Sequence, residues 1–422
     1  MGTPSRLVER RLLAVVLQRL SEEPVVLIQG PRSVGKSTLL RQVAARLGGT
    51  VVDADDPATR AALRADPAAF VDVPGPVLID EYQRAPEALD AIKTVLNRPP
   101  TKPGRYVLTG SARHEALPQA AQALTGRLHR LPILPLAQCE LANSPGLLGR
   151  LFDEGEMLAR TAPPSATSRQ EYIERVARGG FPLALNRSSV ARSRWFDDYI
   201  RLTLERDVSD LRKLRQAQAL PEMLAFLASQ TAQLLKYSRV GDVAGLDETT
   251  AASYVRLLEA VFLVQVLPAW GKRLTSRTAA SPKIHFVDSG LAARLSRLTA
   301  EKLDRRDATA LTELGHLVET FAVGELLKEA SWMDGVATTG HWRTFDGHEV
   351  DLVVERDDGL VVAFEVKASG RAAGDGFRGL AKLRDQIGAA FGVGVLLYLG
   401  ERSFRYGDRL LALPLDRLWT PQ

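Results

Sequence analysis

Apolar positions in this chain switch between short solid runs and helical spacing, and the switching predicts a β/α order from the start. PVVLIQ at 24–29 is a short run rich in β-branched residues, as a buried strand requires, and TLLRQVAARLG at 38–48 returns to helical spacing. GPVLIDEYQRAP at 75–86 and GRYVLTGSAR at 104–113 predict two more buried strands, each ending in polar residues. Upstream, MGTPSRLVERRLLAVVLQRL has an apolar helical face interrupted by arginines and no small-residue cleavage site, which predicts an amphipathic helix and no signal peptide. Downstream, RQEYIERVARGGFPLAL predicts a helix ended by Gly179 and Gly180. The next helix, SRWFDDYIRLTLERDVSDL, repeats Trp195, Tyr199 and Leu202 at core-packing intervals.

Further on, YSRVGDVAGLDETTAASYVRLLEAVFLVQVLPAW predicts a helix, a turn, a second helix capped by Asp247, and an apolar strand. That is the plan of a winged helix-turn-helix, a module that serves DNA binding or protein contact. GKRLTSRTAASPKIHFVD would form its basic wing, with Lys272, Arg273, Arg277 and Lys283 as candidate contacts to DNA phosphates. In the last quarter, GHLVETFAVGELLKEA predicts an amphipathic helix, and HEVDLVVE and LVVAFEVKAS predict two strands.

Composition changes this picture little. The 422 residues are too many for one ordinary core, and 45% hydrophobic with 25% charged residues is the balance of a water-soluble globular chain. No run is long enough to cross a bilayer, and a single cysteine, Cys139, excludes an internal disulfide and a thiolate cluster. The expected location is therefore the reducing cytoplasm, with no membrane partner. A net charge of +5 permits nucleic-acid binding without requiring it; arginines crowd residues 187–215, as a solvated helix face or as a DNA-facing one.

The chemistry is concentrated where elements end. GPRSVGKS lies between the first strand and its helix, the setting a phosphate-binding loop requires. Gly30, Pro31, Arg32, Ser33, Val34, Gly35, Lys36, Ser37 and Thr38 are the candidate nucleotide-binding residues: the glycines let backbone N–H groups turn inward, Lys36 neutralises phosphate charge, and Ser37 reaches Mg²⁺. Asp80 and Glu81 close the second strand. Asp80 is a candidate for holding Mg²⁺ through water and Glu81 for polarising the attacking water, with helix capping as the alternative. Thr109 and Ser111 end the third strand, as sensors of the γ-phosphate or as a plain turn. Arg127 is a candidate phosphate-facing arginine, in its own site or across a subunit boundary, or else a surface residue; Arg113, Arg32 and Arg206 are its rivals. Near the other end, Glu319 on a helix, Asp351 on a strand, and Glu365 and Lys367 on the next strand make the acid, acid and E-x-K set of a PD-(D/E)xK nuclease. Strand alternation sets Glu365 and Lys367 on one face, carboxylates would hold Mg²⁺, and the lysine would steady the attacking water.

The blocks GPRSVGKST, LIDEYQRAP, YVLTGSAR, TGRLHRLPILPLAQCE and ARGGFPLAL, in this order, resemble the bacterial and archaeal AAA+-like ATPases of the archaeal-ATPase type. The resemblance implies an AAA+-type core, ATP with Mg²⁺, sites shared between subunits of a homo-oligomer such as a hexameric ring, and a C-terminal domain of nuclease-like fold. The expected fold class is α/β: a P-loop AAA+-like core with its N-terminal helix over 1–145, a helical lid over 146–215, a winged helix-turn-helix over 216–300 and a restriction-nuclease-like α/β domain over 301–422. The expected activity is ATP hydrolysis coupled to remodelling of duplex or branched DNA, including branch migration in repair or recombination. An ATP-licensed endonuclease and a nucleotide-dependent regulatory switch are the alternatives.

Overall fold

A computed structural model describes residues 7–98, 100, 102–113, 124, 126–161, 163–208, 216–271 and 281–420. Contacts divide the chain into two compact units: Met1–Leu136 with Arg201–Arg215 and Arg256–Leu263, and Ala137–Ile200 with Gln216–Val255 and Val264–Gln422.

The first unit is built on five strands, β1 (Val25–Gln29), β2 (Thr50–Asp53), β3 (Val77–Asp80), β4 (Tyr106–Gly110) and β5 (Leu128–Pro132), in the order β2-β3-β4-β1-β5. Every pairing is parallel. A parallel sheet is covered by its crossover helices, which is why β1, β3 and β4 are solid apolar runs buried at every position. Leu27, Ile79, Tyr82, Ile92 and Leu108 form the centre of that core, each stabilising the fold by about 1.5–3 kcal/mol on transfer from water. The expected N-terminal helix is Leu12–Glu22, buried through Leu12, Leu13, Val16 and Leu20. Because all strands run one way, Gln29, Asp80 and Gly110 end at the same edge of the sheet. The crevice outside that edge is where such sheets take ligands.

In the second unit the helix Arg169–Arg178 ends where the sequence predicts, at Gly179 with φ of 68°. The second glycine has its own reason: the Gly180 N–H donates to Asp288 Oδ2 at 2.6 Å, and a Cβ at Gly179 would meet Asp288 Oδ1 at 2.1 Å. In the following helix, Ser189–Leu202, Trp195 and Tyr199 stack against each other and pack on Phe181, as their spacing predicts, but Leu202 is exposed; Phe196 is the buried residue that completes the cluster.

After it come a helix (Leu220–Ser229), β6 (Gln233–Leu234), helices Tyr237–Ala244 and Glu248–Ala260, β7 (Val264–Leu267) and β8 (Lys283–Phe286). The strands form an antiparallel sheet in the order β6-β8-β7. Asp247 caps the second helix of the pair through the Thr250 N–H at 2.9 Å. The helix Ala308–Trp332 then leads into a six-stranded mixed sheet of β9 (Val336–Arg343), β10 (Glu349–Arg356), β11 (Val361–Lys367), β12 (Phe391–Tyr398), β13 (Phe404–Gly407) and β14 (Leu410–Pro414), ordered β13-β14-β12-β11-β10-β9. Between Val350 and Val353, β10 carries one residue more than β9, a bulge at Asp351 and Leu352. Among the described residues, no helix is long and apolar enough to cross a membrane.

Candidate functional site

The loop after β1 is shaped by residues that only small or left-handed positions tolerate. A Cβ on Gly30 would lie 1.9 Å from the Ile133 carbonyl oxygen, so the loop can lie against that strand end only with glycine there. Ser33 at φ 62° and Gly35 at φ 97° then reverse the chain into the helix Lys36–Leu47. The turn directs backbone N–H groups and the helix N-terminus at one small volume, a natural seat for phosphate. Lys36 is buried, and its ammonium donates to the carbonyls of Gly30 at 3.1 Å and Pro31 at 3.0 Å while lying 3.6 Å from Glu81 Oε1. Burial pushes its pKa down, aided by the Arg32 charge and opposed by Glu81 and Asp80.

Sheet order explains the rest of this cluster. β4 lies between β1 and β3, which inserts Thr109 between the loop and the acid pair. The Thr109 hydroxyl donates to Asp80 Oδ1 and accepts the Glu81 N–H at 3.1 Å. Glu81 adopts φ 52° and ψ 48°, left-handed backbone that costs a residue with a Cβ about 1–3 kcal/mol and turns its carboxylate toward Lys36. Burial would raise the Glu81 pKa, but Lys36, Arg32 and hydrogen bonds with Gln83 and Ser111 outweigh it and hold the carboxyl below its usual range. Gln83, absent from the sequence-based candidates, bridges Glu81 Oε2 and Ser111 Oγ, the latter at 2.9 Å. An amide two residues past the acid pair was its only signal. Ser37 and Thr38 open the helix, partly buried.

These residues suit ATP with Mg²⁺. Mg²⁺ is commonly held by one or two protein oxygens together with substrate phosphates, and Ser37 with Asp80 supplies that set beside a buried lysine.

The arginines fall differently from expectation. Arg127 precedes β5, whose Leu128 pairs with Val25 at the start of β1, so it is separated from the loop by the length of β1, roughly 13 Å at about 3.3 Å per residue. Its guanidinium is bound to Asn97 Oδ1 at 2.7 Å. A phosphate contact from Arg127 within its own subunit is thereby corrected: it sits at the wrong end of a parallel sheet. Arg113 follows β4 at the correct edge, 3.4 Å from Glu259 and over the Phe262 ring. Arg32 lies in the loop itself, and Arg206 is exposed.

The second constellation also assembles. One step beyond the Leu352↔Phe364 pair, the β10–β11 register brings Asp351 opposite Glu365, and the Val366 N–H donates to Asp351 Oδ2 at 2.9 Å. Lys367 donates to Glu365 Oε1 at 2.6 Å. Glu319 arrives from the helix Ala308–Trp332. A fifth residue joins them: Lys283 Nζ donates to Glu319 Oε1 at 2.7 Å and to Asp351 Oδ1 at 2.8 Å. Lys283, expected on a DNA-facing wing, is 4% exposed in β8, and the correction follows from its position in a strand paired on both sides. Lys272, Arg273 and Arg277 lie outside the described residues. A lysine in an apolar strand requires an ion pair, and that signal was present in PKIHFVD.

Burial and the nearby Asp351 raise Glu365 to about 8 and Glu319 well above the carboxylate range. Burial acts on Asp351 in the same direction, but Lys283, the Val366 N–H and Lys367 hold it down. Among the described residues no group of three His, Cys, Asp or Glu is arranged to hold a metal ion. The four predicted residues are thus brought together, with Lys283 as a fifth member bonded to two of them.

Comparison with known proteins agrees with the first cluster. Residues 22–142 match the model of an AAA domain, while residues 169–302 and 314–418 match models of two domains of unknown function, DUF8612 and DUF4143. Uncharacterized proteins of Mycobacterium tuberculosis and Mycobacterium bovis are each 29% identical over 415 residues, covering 98% of this chain and 85% of theirs. Among solved structures, a Walker-type ATPase of Pyrococcus abyssi aligns with a TM-score of 0.40 at 13% identity, over 68% of this chain and 96% of that one. A signal transduction ATPase with numerous domains and a tetratricopeptide repeat sensor, from Pyrococcus horikoshii, aligns with a TM-score of 0.29 at 12% identity, over 78% and 46%. Both structural likenesses are distant. The AAA match and the loop geometry together make residues 22–142 a P-loop, Walker-type ATPase module.

Proposed function

We propose that this chain hydrolyses ATP at the cluster of Lys36, Asp80, Glu81 and Thr109, and that as a homo-oligomer it uses the turnover to remodel or translocate on duplex or branched DNA. The observation that carries the hydrolytic part is the Glu81 carboxylate, ionised and fixed 3.6 Å from Lys36 at the ligand edge of the sheet. In this reading Lys36 exchanges the Gly30 and Pro31 carbonyls for β- and γ-phosphate oxygens. Glu81 orients a water and takes up its proton as the water oxygen bonds to the γ-phosphorus and the bond to the β–γ bridging oxygen breaks. Thr109 ties the Asp80 carboxylate to the Glu81 backbone N–H, and Gln83 keeps the Glu81 carboxylate from rotating away. Ser37, with Asp80 through water, would hold Mg²⁺, which when bound neutralises charge on the β- and γ-phosphates.

Two features support a DNA partner. The order helix, β6, helix, helix, β7, β8, with its β6-β8-β7 sheet, follows the winged helix-turn-helix plan. A cleft of about 430 Å³ beside it is rimmed by the exposed Lys236, Arg239 and Arg343, suited to backbone phosphates. The endonuclease alternative draws no support from a site in which the Lys283 ammonium already bonds to both Glu319 and Asp351.

The deciding experiment is ATP turnover by the full chain with no DNA, single strand, blunt duplex and a four-way junction, beside a Glu81→Gln control, with strand separation followed on gels. Stimulation by branched DNA with strand separation is expected. Turnover indifferent to every DNA would instead favour a nucleotide-dependent switch.

A further inference from the structure

The C-terminal constellation has every side chain that a metal-dependent phosphodiesterase needs and one side chain too many. Lys283 is brought to it by β8, a strand of the small antiparallel sheet, while Glu319 comes from the helix Ala308–Trp332 and Asp351 and Glu365 from the large sheet. Its ammonium is nine-tenths buried and bonded to one oxygen each of Glu319 and Asp351. The other oxygen of Asp351 accepts the Val366 N–H, and one oxygen of Glu365 accepts Lys367. Both oxygens of Asp351 and one oxygen each of Glu319 and Glu365 are thus engaged by protein donors, while the second oxygen of Glu365 is buried without a hydrogen-bond partner. A Mg²⁺ needs oxygen ligands at about 2.0–2.1 Å, and it cannot share the space between two carboxylates with an ammonium already within hydrogen-bond distance of both.

We propose that Lys283 stands permanently where the divalent cation of a nuclease-like site would stand, so that this centre is a metal-free ionic lock and not a cutting site. The lock joins three elements that are remote in sequence: β8, the helix Ala308–Trp332 and the bulged strand β10. The bulge matters because it re-aims Asp351 within β10 at a point where it can meet both β8 and β11. Such an arrangement is stable only while every member is present, because removing the lysine leaves buried, mutually repelling carboxylates. The same repulsion would make the emptied site attractive to a divalent cation. The lock requires no particular partner for the ATPase module and stands whether or not that module acts on DNA.

The test uses the full chain without nucleotide and Mn²⁺ as the probe, read by electron paramagnetic resonance and by the unfolding temperature. Wild type is expected to hold no Mn²⁺ that Asp351→Asn removes. Lys283→Met is expected to acquire one site, roughly tenfold or more tighter than any in wild type, with an unfolding temperature that Mn²⁺ raises in the variant and not in wild type. The pair Lys283→Met with Asp351→Asn should lose that site. If wild type binds one Mn²⁺ that either Asp351→Asn or Glu365→Gln abolishes, or nicks DNA with Mg²⁺ in an Asp351-dependent way, the lock is wrong. A folded Lys283→Met that gains no site also overturns it, and if that variant does not fold, the wild-type measurements decide alone.

Discussion

Lys36 and Glu81 face each other across the phosphate loop, Nζ 3.6 Å from Oε1, with the lysine also hydrogen-bonded to two carbonyls of the loop that presents it. The pairing separates two roles that substitution can tell apart. Glu81→Gln keeps the shape and the Gln83 contact but removes the proton acceptor, so ATP turnover should fall about 10²–10⁴-fold while binding of a fluorescent ATP analogue persists. Lys36→Ala should abolish binding itself. A Glu81→Gln variant with wild-type turnover would remove Glu81 from the chemistry.

Thr109 predicts a different signature. Its hydroxyl serves Asp80 and the Glu81 backbone at once inside a buried strand end, so Thr109→Ala should cost roughly 1–3 kcal/mol of stability and about tenfold or more in turnover. Thr109→Ser retains the hydroxyl and should restore most of both. Loss of activity in the Ser variant equal to that in the Ala variant would show that the methyl group, and not the hydroxyl, is what matters. Denaturant unfolding and steady-state ATP hydrolysis together check this.

Gly30→Ala places a methyl group where the Ile133 carbonyl oxygen lies, 1.9 Å away, and a backbone oxygen at a strand end does not yield cheaply. The loop should shift, lowering stability by roughly 1–3 kcal/mol or more and weakening nucleotide binding together with it. Gly35→Ala meets no neighbour but is strained at φ 97°, so its effect should fall mainly on the loop's conformation. Thermal unfolding with and without ATP distinguishes the two.

What the sequence made legible depends on how local each relationship is. The loop, the acid pair and Thr109 lie at the ends of apolar runs whose strand character is plain, and a parallel sheet brings such ends to one edge without further information. Arg127 was misplaced because a motif's proximity to a strand does not say which end of the strand it occupies. Glu319, Asp351, Glu365 and Lys367 were legible as residue types on predicted elements. Lys283 was assigned to a wing because its partners lie 36 and 68 residues away. Nothing in the local pattern says that a strand from one sheet will deliver its lysine into the acidic centre of another, and only the three-dimensional contacts identify the ammonium as part of that centre.

Glu365 gives the pH dependence of that centre its sign. Burial first, then the Asp351 charge, raise it from the ordinary 4.5 to about 8, against the pull of Lys367. Between those two values the folded protein holds a proton that the unfolded chain has released, so this group makes stability fall as pH rises from about 4.5 to 8, with the deficit fully present above 8. Glu365→Gln removes the ionisation while keeping an acceptor oxygen for Lys367. The variant's unfolding free energy, followed by denaturant titration between about pH 5 and pH 9, should therefore decline less steeply than that of wild type, and the two curves should separate by a few kcal/mol at the alkaline end. Parallel curves would mean that Glu365 is ionised throughout, as a carboxylate fully paired with Lys367 would be, and the lysine on β11 would then be a second fixed cation beside Lys283.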